Sequence, residues 1–354
     1  MDPLISIIIP AHNAIETLHS TLQSVAAQTF RSWKAIVVDD GSSDATPELI
    51  RSWCACEPRI SALRQAQSGV SAARNKGAAA VSSPWLLFLD ADDLLTPDYL
   101  EVMLNAAATH PEVDLVCCGI QRSGPDGRLG PPDFPPQNNY FDHLAVSCCF
   151  TMPASCVLKR STFSDAGGFD TSLNGPEDWD LWQRLARAKR NFLPVSRVLA
   201  IYRMRPNSLV RNCNRTFSDS VTIIERGHSA DPRVVNPAAE FAAGKPKTEL
   251  DAAIFSLTLW VTGVAIGSGQ DAAPILAEAM RRLSAWPPNL PREQAAASLW
   301  DGLLVGACAI PTDWPNVWIK IKLGVSDLLQ TIGHGWNAAN PAQDCYSHLE
   351  GMVK

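Results

Sequence analysis

The chain has 354 residues, of which 46% are hydrophobic and 19% charged, and its formal net charge is -6. This composition supports a hydrophobic core and excludes a globally disordered chain. The slight acidity, with no long Lys/Arg run, excludes the basic footprint of a nucleic-acid-binding protein. The length fits one large domain, or a domain of about 200 residues followed by a smaller one.

The first 120 residues alternate between strand and helix patterns. Strands are predicted at 4–10, 33–40, 60–64, 85–89 and 114–120, and the first of them is a continuous β-branched run. Apolar residues at helical spacing predict helices that begin near residues 15, 46, 70 and 96. Such alternation is typical of an α/β fold with a mostly parallel central sheet flanked by helices.

Polar clusters follow three of the predicted strands, at 10–13, 39–44 and 90–93. In a parallel α/β sheet, ligands bind beyond the carboxyl ends of the strands. We therefore expect these three distant segments to meet in one crevice.

The alternation stops after about Arg211. Before that point, 124–139 is a Pro- and Gly-rich loop, 177–188 is a predicted helix and 195–202 a predicted strand. Beyond it, helices are predicted at 249–266, 272–283, 292–307 and 317–329. The chain therefore divides into a first domain, 1–211, and a mainly helical C-terminal subdomain, 212–354.

Residues 252–269 are mostly apolar and close to the lower limit for a membrane span, about 17 residues. The stretch contains Ser256, Thr258 and Thr262, and we expect a buried helix rather than a membrane helix because the rest of the chain has the pattern of a soluble protein. The ten cysteines include two adjacent pairs inside apolar runs, where reduced Cys packs as a small hydrophobe. Reduced thiols in a cytosolic protein are the expectation.

The segment Asp90-Ala91-Asp92-Asp93 directly follows a predicted apolar strand. Carboxylates this close repel one another, and a divalent cation bound by oxygen ligands relieves the repulsion. Such a cation also neutralises a departing diphosphate. The alternative is a solvated turn that precedes a helix.

Two further segments carry groups suited to a nucleotide. A carboxylate of Asp39-Asp40, at the end of the second strand, suits a base N–H or a ribose hydroxyl. Arg74, with Asn75, lies in a predicted helix of small residues and suits phosphate or sugar oxygens. A helix-capping turn and a solvated helix face are the respective alternatives.

Glu177 and Asp178 open a predicted helix. Stabilisation by the helix dipole is one explanation for acids at that position. The other is general-base catalysis, in which a carboxylate removes the proton of an attacking hydroxyl.

Together, these motifs resemble the family 2 glycosyltransferases, which have the GT-A fold. The resemblance extends from about Leu4 to Ser208. It is carried by Ser6-Ile7-Ile8-Ile9-Pro10-Ala11-His12-Asn13, Val37-Val38-Asp39-Asp40-Gly41-Ser42-Ser43-Asp44, Asp90-Ala91-Asp92-Asp93, Gly167-Gly168-Phe169-Asp170, Glu177-Asp178-Trp179-Asp180-Leu181-Trp182, and Arg197 to Arg203 followed by Ser208.

The resemblance implies a role for each matching residue. Asp40 would bind uracil or an equivalent base, beside a loop formed by Pro10, Ala11, His12 and Asn13. Asp90 would contact the ribose, with Ala91 next to it, and Asp92 would ligate Mn²⁺ or Mg²⁺ bridging the diphosphate. Asp178 would be the catalytic base, supported by Glu177, and Arg74 and Asn75 would lie near the donor. His12 departs from the family, which often has Tyr there.

These roles predict an inverting, metal-dependent transfer from a nucleotide-diphosphate sugar, a UDP-sugar by preference, to an acceptor hydroxyl in glycan biosynthesis. A non-catalytic sugar-nucleotide or glycan-binding protein and a sugar nucleotidyltransferase are the alternatives. The acceptor is open between a glycan, a lipid-linked glycan, a peptide and a small molecule. The C-terminal helices could bind it, form a homodimer or rest on a membrane face. A cytoplasmic location, with or without peripheral contact at the cytoplasmic membrane face, is expected.

Overall fold

The structure is a computed structural model that describes residues 3–283, 285–287, 290–335 and 338–353. Its centre is a nine-stranded sheet with the order β3-β2-β1-β4-β8-β6-β9-β5, in which β7 pairs with β6. The strands are β1 (Ile5–Ala11), β2 (Trp33–Asp40), β3 (Ile60–Gln65), β4 (Trp85–Phe88), β5 (Leu94–Leu95), β6 (Leu115–Ser123), β7 (Leu129–Asp133), β8 (Cys156–Lys159) and β9 (Phe192–Arg203).

The first four strands pair in parallel, as the alternating pattern predicts. All seven residues of β1 are buried. This is the pattern of a central strand covered by helices on both faces, and it explains why the sequence shows a continuous apolar run rather than alternation.

The second half of the sheet is mixed. β8 lies antiparallel between β4 and β6, and β6 pairs in parallel with β9. β6 therefore runs in the same direction as β4. As a result β1, β2, β4, β6 and β9 all end on one side of the sheet, which is called the carboxyl edge below.

Seven helices accompany the sheet, and six follow it. The first group is α1 (Leu18–Ala26), α2 (Thr46–Cys56), α3 (Val70–Ala79), α4 (Tyr99–Thr109), α5 (Tyr140–Leu144), α6 (Arg160–Asp165) and α7 (Glu177–Arg187). The second is α8 (Cys213–Gly227), α9 (Leu250–Gly267), α10 (Ala273–Arg282), α11 (Arg292–Ala307), α12 (Trp314–Gly335) and α13 (Ala339–Gly351). These counts refer to the ranges described above.

α9 and α11 pack with their backbones in contact. Gly263 and Gly267 on α9 face Gly302 and Gly306 on α11, one turn apart on each helix. A Cβ atom added to Gly263 would lie 2.6 Å from the carbonyl oxygen of Leu299, well inside van der Waals contact. Small residues at this spacing are what allow two helices to approach so closely.

Within the described ranges, one helical stretch is long and apolar enough to cross a membrane, Lys247–Gly267, and 61% of it is buried in the protein. The sharply bent pair Arg292–Ala307 and Pro311–Gly335 would make a second only if counted as one broken span. Because α9 packs against α8 and α11, its apolar surface is largely used inside the molecule.

The sheet and the C-terminal helices share one hydrophobic core. A single cluster contains Phe88 of β4, Trp182 of α7, Phe217 of α8 and Leu259 of α9. The last strand ends at Arg203 and α8 begins at Cys213, on either side of the predicted boundary at 211. The division into two domains stays a prediction, since the packing does not separate them.

Candidate active site at the carboxyl edge

The turn after β4 brings three carboxylates together. One ligand oxygen each from Asp90, Asp92 and Asp93 lies within 4.8 Å of the others. Asp93 is fully buried; its Oδ1 accepts the backbone N–H of Arg203 at 3.0 Å, and its Oδ2 has no partner among the described residues. A buried, unpartnered carboxylate oxygen beside two others suits a hard divalent cation.

Electrostatic repulsion inside this cluster shifts the pKa of two of its members. Burial and the charges of Asp92 and Asp90 raise the pKa of Asp93 well above the usual value for Asp. Burial and the charge of Asp90 likewise raise the pKa of Asp92, although Arg205 opposes the shift. An added cation would relieve this repulsion, so the three carboxylates suit a divalent cation. The assignment of Asp92 as the metal ligand stays a prediction.

Two arginines, one at the end of β9 and one just beyond it, contact the acidic turn. Arg205 forms an ion pair with the Asp92 carboxylate. Arg203 donates to the backbone oxygen of Asp92 and, at 2.7 Å, to the hydroxyl of Ser20 on α1. Neither arginine was predicted to have a role in the site. Their position at the end of a strand that reaches the carboxyl edge is the signal that would have found them.

A buried arginine joins the acidic turn to α7. Arg74 of α3 is 2% exposed. It donates to Asp90 Oδ1 at 2.5 Å and forms a second ion pair with Glu177 Oε1. Burial alone would lower the pKa of Arg74, but Asp90, Glu177 and Asp178 raise it above its usual value. Arg74 thus stays charged and fixes two acidic segments side by side.

Asp178 lies next to this bridge, at the start of α7. Its Oδ1 accepts the N–H of Trp179 at 2.7 Å, and this is the one hydrogen bond of its carboxylate among the described residues. Burial and the adjacent Glu177 raise the pKa of Asp178 to about 7, against the opposing charge of Arg74. A carboxylate with one free oxygen and a pKa near neutrality has the properties of a general base.

The third acid of α7 is structural. Asp180 is fully buried and forms ion pairs with Arg184, Arg226 and Arg233. Arg226 and Arg233 also contact Asp170 in the preceding loop. This network anchors the helix and the loop before it, and leaves Glu177 and Asp178 to face the Arg74 bridge.

The loop after β1 is tied to the end of β2. The side-chain oxygen of Asn13, whose φ of 48° is in the left-handed region, accepts the N–H of Ser43 at 2.9 Å. The Nδ1 of His12 donates to the carbonyl oxygen of Asp40 at 2.9 Å. Pro10 and Ala11 end β1 beside Val38 and Asp39. All four residues of the predicted nucleotide loop therefore reach the carboxyl edge.

The side chains of Asp40 and Asn75 each form hydrogen bonds with the backbone of another segment. Asp40 Oδ1 accepts from Gln65 and from the N–H of Ser68, and its Oδ2 accepts from the N–H of Gly69, each at 2.8 Å. The amide of Asn75 exchanges two hydrogen bonds with the backbone of Phe169, both at 2.9 Å. The structure shows these hydrogen bonds within the protein. The predicted contacts of Asp40 and Asn75 with the sugar-nucleotide donor stay predictions.

The profile of the family "Glycosyl transferase family 2" matches residues 6–165. The chain carries a family 2 glycosyltransferase domain. One curated relative is the uncharacterized glycosyltransferase EpsJ of Bacillus subtilis (strain 168), 27% identical over 219 residues. That alignment covers 59% of this chain and 63% of EpsJ. The family predicted from the motifs is confirmed, and so is the assignment of the domain to the transferases.

Solved glycosyltransferase structures share the fold over most of the chain. TarS of S. aureus, as residues 1–349, superposes with a TM-score of 0.54 at 15% identity, over 99% of this chain and 90% of TarS. The mannosyltransferase PcManGT from Pyrobaculum calidifontis also has a TM-score of 0.54, at 18% identity, over 87% of this chain and 86% of PcManGT. The predicted GT-A fold with a C-terminal helical region is confirmed.

Proposed function

We propose that this protein is an inverting, metal-dependent glycosyltransferase that moves a sugar from a nucleotide-diphosphate sugar to an acceptor hydroxyl in glycan biosynthesis. A UDP-sugar is the preferred donor, as the family resemblance implies. PcManGT was solved with GDP-Man and Mn²⁺, and TarS with UDP-GlcNAc, so the shared fold is compatible with more than one base.

The observation that carries the proposal is the Arg74 bridge. A buried cation joins Asp90 of the acidic turn to Glu177, the neighbour of Asp178. It places a cluster suited to a metal and diphosphate beside a carboxylate suited to a base. Inverting transfer requires these two groups on opposite sides of the same anomeric carbon.

In the proposed reaction, the Oδ2 of Asp178 accepts the proton of the acceptor hydroxyl as that oxygen attacks the anomeric carbon. One bond forms between the acceptor oxygen and the carbon, while the bond from the carbon to the diphosphate oxygen breaks. The proton resides on Asp178 and the nucleoside diphosphate leaves. The single displacement inverts the configuration at the carbon.

Asp92, with Asp90 and Asp93, would hold Mn²⁺ or Mg²⁺. When bound, this cation supplies charge neutralisation for the leaving diphosphate. Arg205, which contacts Asp92, lies where its guanidinium can pair with phosphate oxygens once a cation takes over that carboxylate.

Asp92→Asn is expected to abolish metal-dependent donor binding. The measurement is the thermal shift produced by UDP-, GDP-, dTDP- and CMP-sugars, each with Mn²⁺ or with EDTA. In the wild type, one nucleotide class should raise the melting temperature with Mn²⁺ and not with EDTA, because ligands that bind only the folded state stabilise it. The variant should show no shift in either condition.

Asp165→Asn is the matched control, because Asp165 is a surface carboxylate paired with Arg190 at 3.1 Å, away from the acidic turn. It should keep the wild-type shift. A Mn²⁺-dependent shift that survives in Asp92→Asn would contradict the metal assignment.

We propose further that the protein acts in the cytoplasm, in peripheral contact with anionic lipid. Ile319 and Leu323, one turn apart on α12, are 68% and 75% exposed. The exposed Lys320 and Lys322 flank them. Apolar residues bordered by lysines are the pattern of an interfacial helix.

The double variant Ile319→Asp/Leu323→Asp should co-sediment at least several-fold less with phosphatidylglycerol-containing vesicles than the wild type, because it replaces apolar contact with negative charge. Gln330→Ala, on an exposed position of the same helix, should sediment like the wild type. Equal sedimentation of the double variant and the wild type would rule out this surface.

A further inference from the structure

A cavity of about 440 Å³ opens beside the proposed active site. It is lined by the ends of β6 and β7, the loop that follows β7, and α5. The lining side chains include Arg122, Asp133, Phe134, Gln137, Asn138 and His143. This volume is in the range of binding pockets for small ligands, about 300–1,000 Å³.

The cavity opens at the carboxyl edge. β6, which carries Arg122 near its end, is separated from β4 by β8 alone, so the two strands lie roughly 10 Å apart. Trp179, the neighbour of Asp178 on α7, donates its indole N–H to the carbonyl oxygen of Leu144 at 2.6 Å, and Leu144 follows the lining residue His143 on α5. The proposed base is therefore close to the cavity wall.

Three polar side chains of the lining are free to bind a ligand. The side chains of Gln137, Asn138 and His143 are exposed, and they make no hydrogen bond to another group in the described part of the chain. Two amides and an imidazole offer both donors and acceptors. Such groups suit hydroxyls, which also donate and accept.

An aromatic ring completes this surface. Phe134 is 45% exposed, and its ring lies against Gly119 of β6, where an added Cβ would be 2.5 Å from the ring. The absence of a side chain at Gly119 lets the ring pack against the strand. The exposed part of the ring offers an apolar surface for the C–H face of a sugar.

The charges in the lining are balanced. Arg122 forms an ion pair with Asp301 of α11, and Asp133 accepts the hydroxyl of Thr151 at 2.8 Å. The lining therefore has no excess of positive charge for a phosphate and no excess of negative charge for a basic peptide. A neutral, polyhydroxylated ligand fits best.

We propose that this cavity is the acceptor subsite and that it takes a neutral saccharide, whose hydroxyl reaches Asp178 while its ring stacks on Phe134. This inference rests on the proposed function. It also gives the C-terminal helices a part in acceptor binding, because Asp301 holds Arg122 in the cavity wall.

The test measures release of nucleoside diphosphate from the donor identified by thermal shift, first without acceptor and then with chitotetraose, mannotetraose or maltotetraose. At least one tetrasaccharide should stimulate release by the wild type. In Phe134→Ala/Asn138→Ala the stimulation should fall at least about tenfold, equivalent to about 1.4 kcal/mol of lost binding. Release without acceptor, which depends on the donor site, should stay within about twofold.

Gln330→Ala, which removes an exposed amide far along α12, should retain both activities. Unchanged stimulation in the double variant would overturn the acceptor subsite. Hydrolysis by the wild type without stimulation by any of the three saccharides would overturn the choice of a neutral saccharide. No release by the wild type under any condition would instead overturn the proposed function, and this inference with it.

Discussion

Asp178→Asn is expected to lower the rate of sugar transfer by a factor of about 10²–10⁴, the usual contribution of a general base. The amide keeps the size of the side chain but cannot accept the acceptor's proton. Because Asp178 does not belong to the acidic turn, the Mn²⁺-dependent thermal shift with donor should persist. Transfer at the wild-type rate would refute the base assignment, and Asp165→Asn should transfer normally.

The pH dependence of wild-type kcat/KM follows from the same residue. The base works only when ionised, and the pKa of Asp178 is raised to about 7. Transfer should therefore fall about tenfold per pH unit below 7 and reach a plateau above about 8. A rate independent of pH between 5 and 8 would contradict the assignment.

The raised pKa of Asp178 also makes the free energy of unfolding depend on pH. In the unfolded chain the pKa of Asp178 is near 3.8, the ordinary value for Asp, and in the folded protein it is raised to about 7. Between these values the folded protein binds the extra proton, so the free energy of unfolding decreases as the pH rises through this window. In EDTA, Asp178→Asn should therefore unfold at a higher temperature than the wild type at pH 8, with little difference at pH 4.

Arg74→Met should lower the free energy of unfolding by about 3–5 kcal/mol, the cost of removing one partner from a buried ion pair. Methionine fills similar space but leaves Glu177, itself 2% exposed, without its cation. Since the charge of Arg74 also lowers the pKa of Asp178, any remaining activity should require a higher pH. Denaturant unfolding and a pH profile measure the two effects.

Arg190→Met is the matched control, because Arg190 is partly exposed and pairs with Asp165 on the surface. It should cost no more than about 1 kcal/mol. Adding Glu177→Leu to Arg74→Met should recover part of the lost stability, since it removes the unpaired charge. A loss below 1 kcal/mol for Arg74→Met alone would mean that the bridge does not hold the site together.

The first half of the sheet could be predicted because β1, β2 and β4 contain apolar runs that alternate with helical patterns. β8 could not, since Cys156–Lys159 is only four residues long and its place between β4 and β6 depends on tertiary pairing. β5, with two residues, and β7, inside the Pro- and Gly-rich loop, are equally weak signals. The helix 292–307 was predicted with its observed bounds, whereas α8 and α13 were not predicted.

The acids of the candidate site could be identified from the sequence because they follow strands or open a helix. Their partners could not, because Arg74 bridges residues 16 and 103 positions away in the chain. Arg74 was predicted to contact phosphate or sugar oxygens. Its ion pairs with Asp90 and Glu177 were not predicted. Arg203 and Arg205 contact the acidic turn only because β9 pairs with β5 and β6 in the folded sheet, and this pairing could not be read from the sequence.

The backbone contact between α9 and α11 has a consequence for how such an enzyme could be divided or recombined. Asp301, which fixes Arg122, precedes Gly302, and Gly302 lies directly on the backbone of α9. Neither helix can shift without moving that carboxylate. A chimera that exchanged residues 1–211 with a relative would separate Arg122 from its anchor, so acceptor preference should be inherited through the sheet and these two helices together.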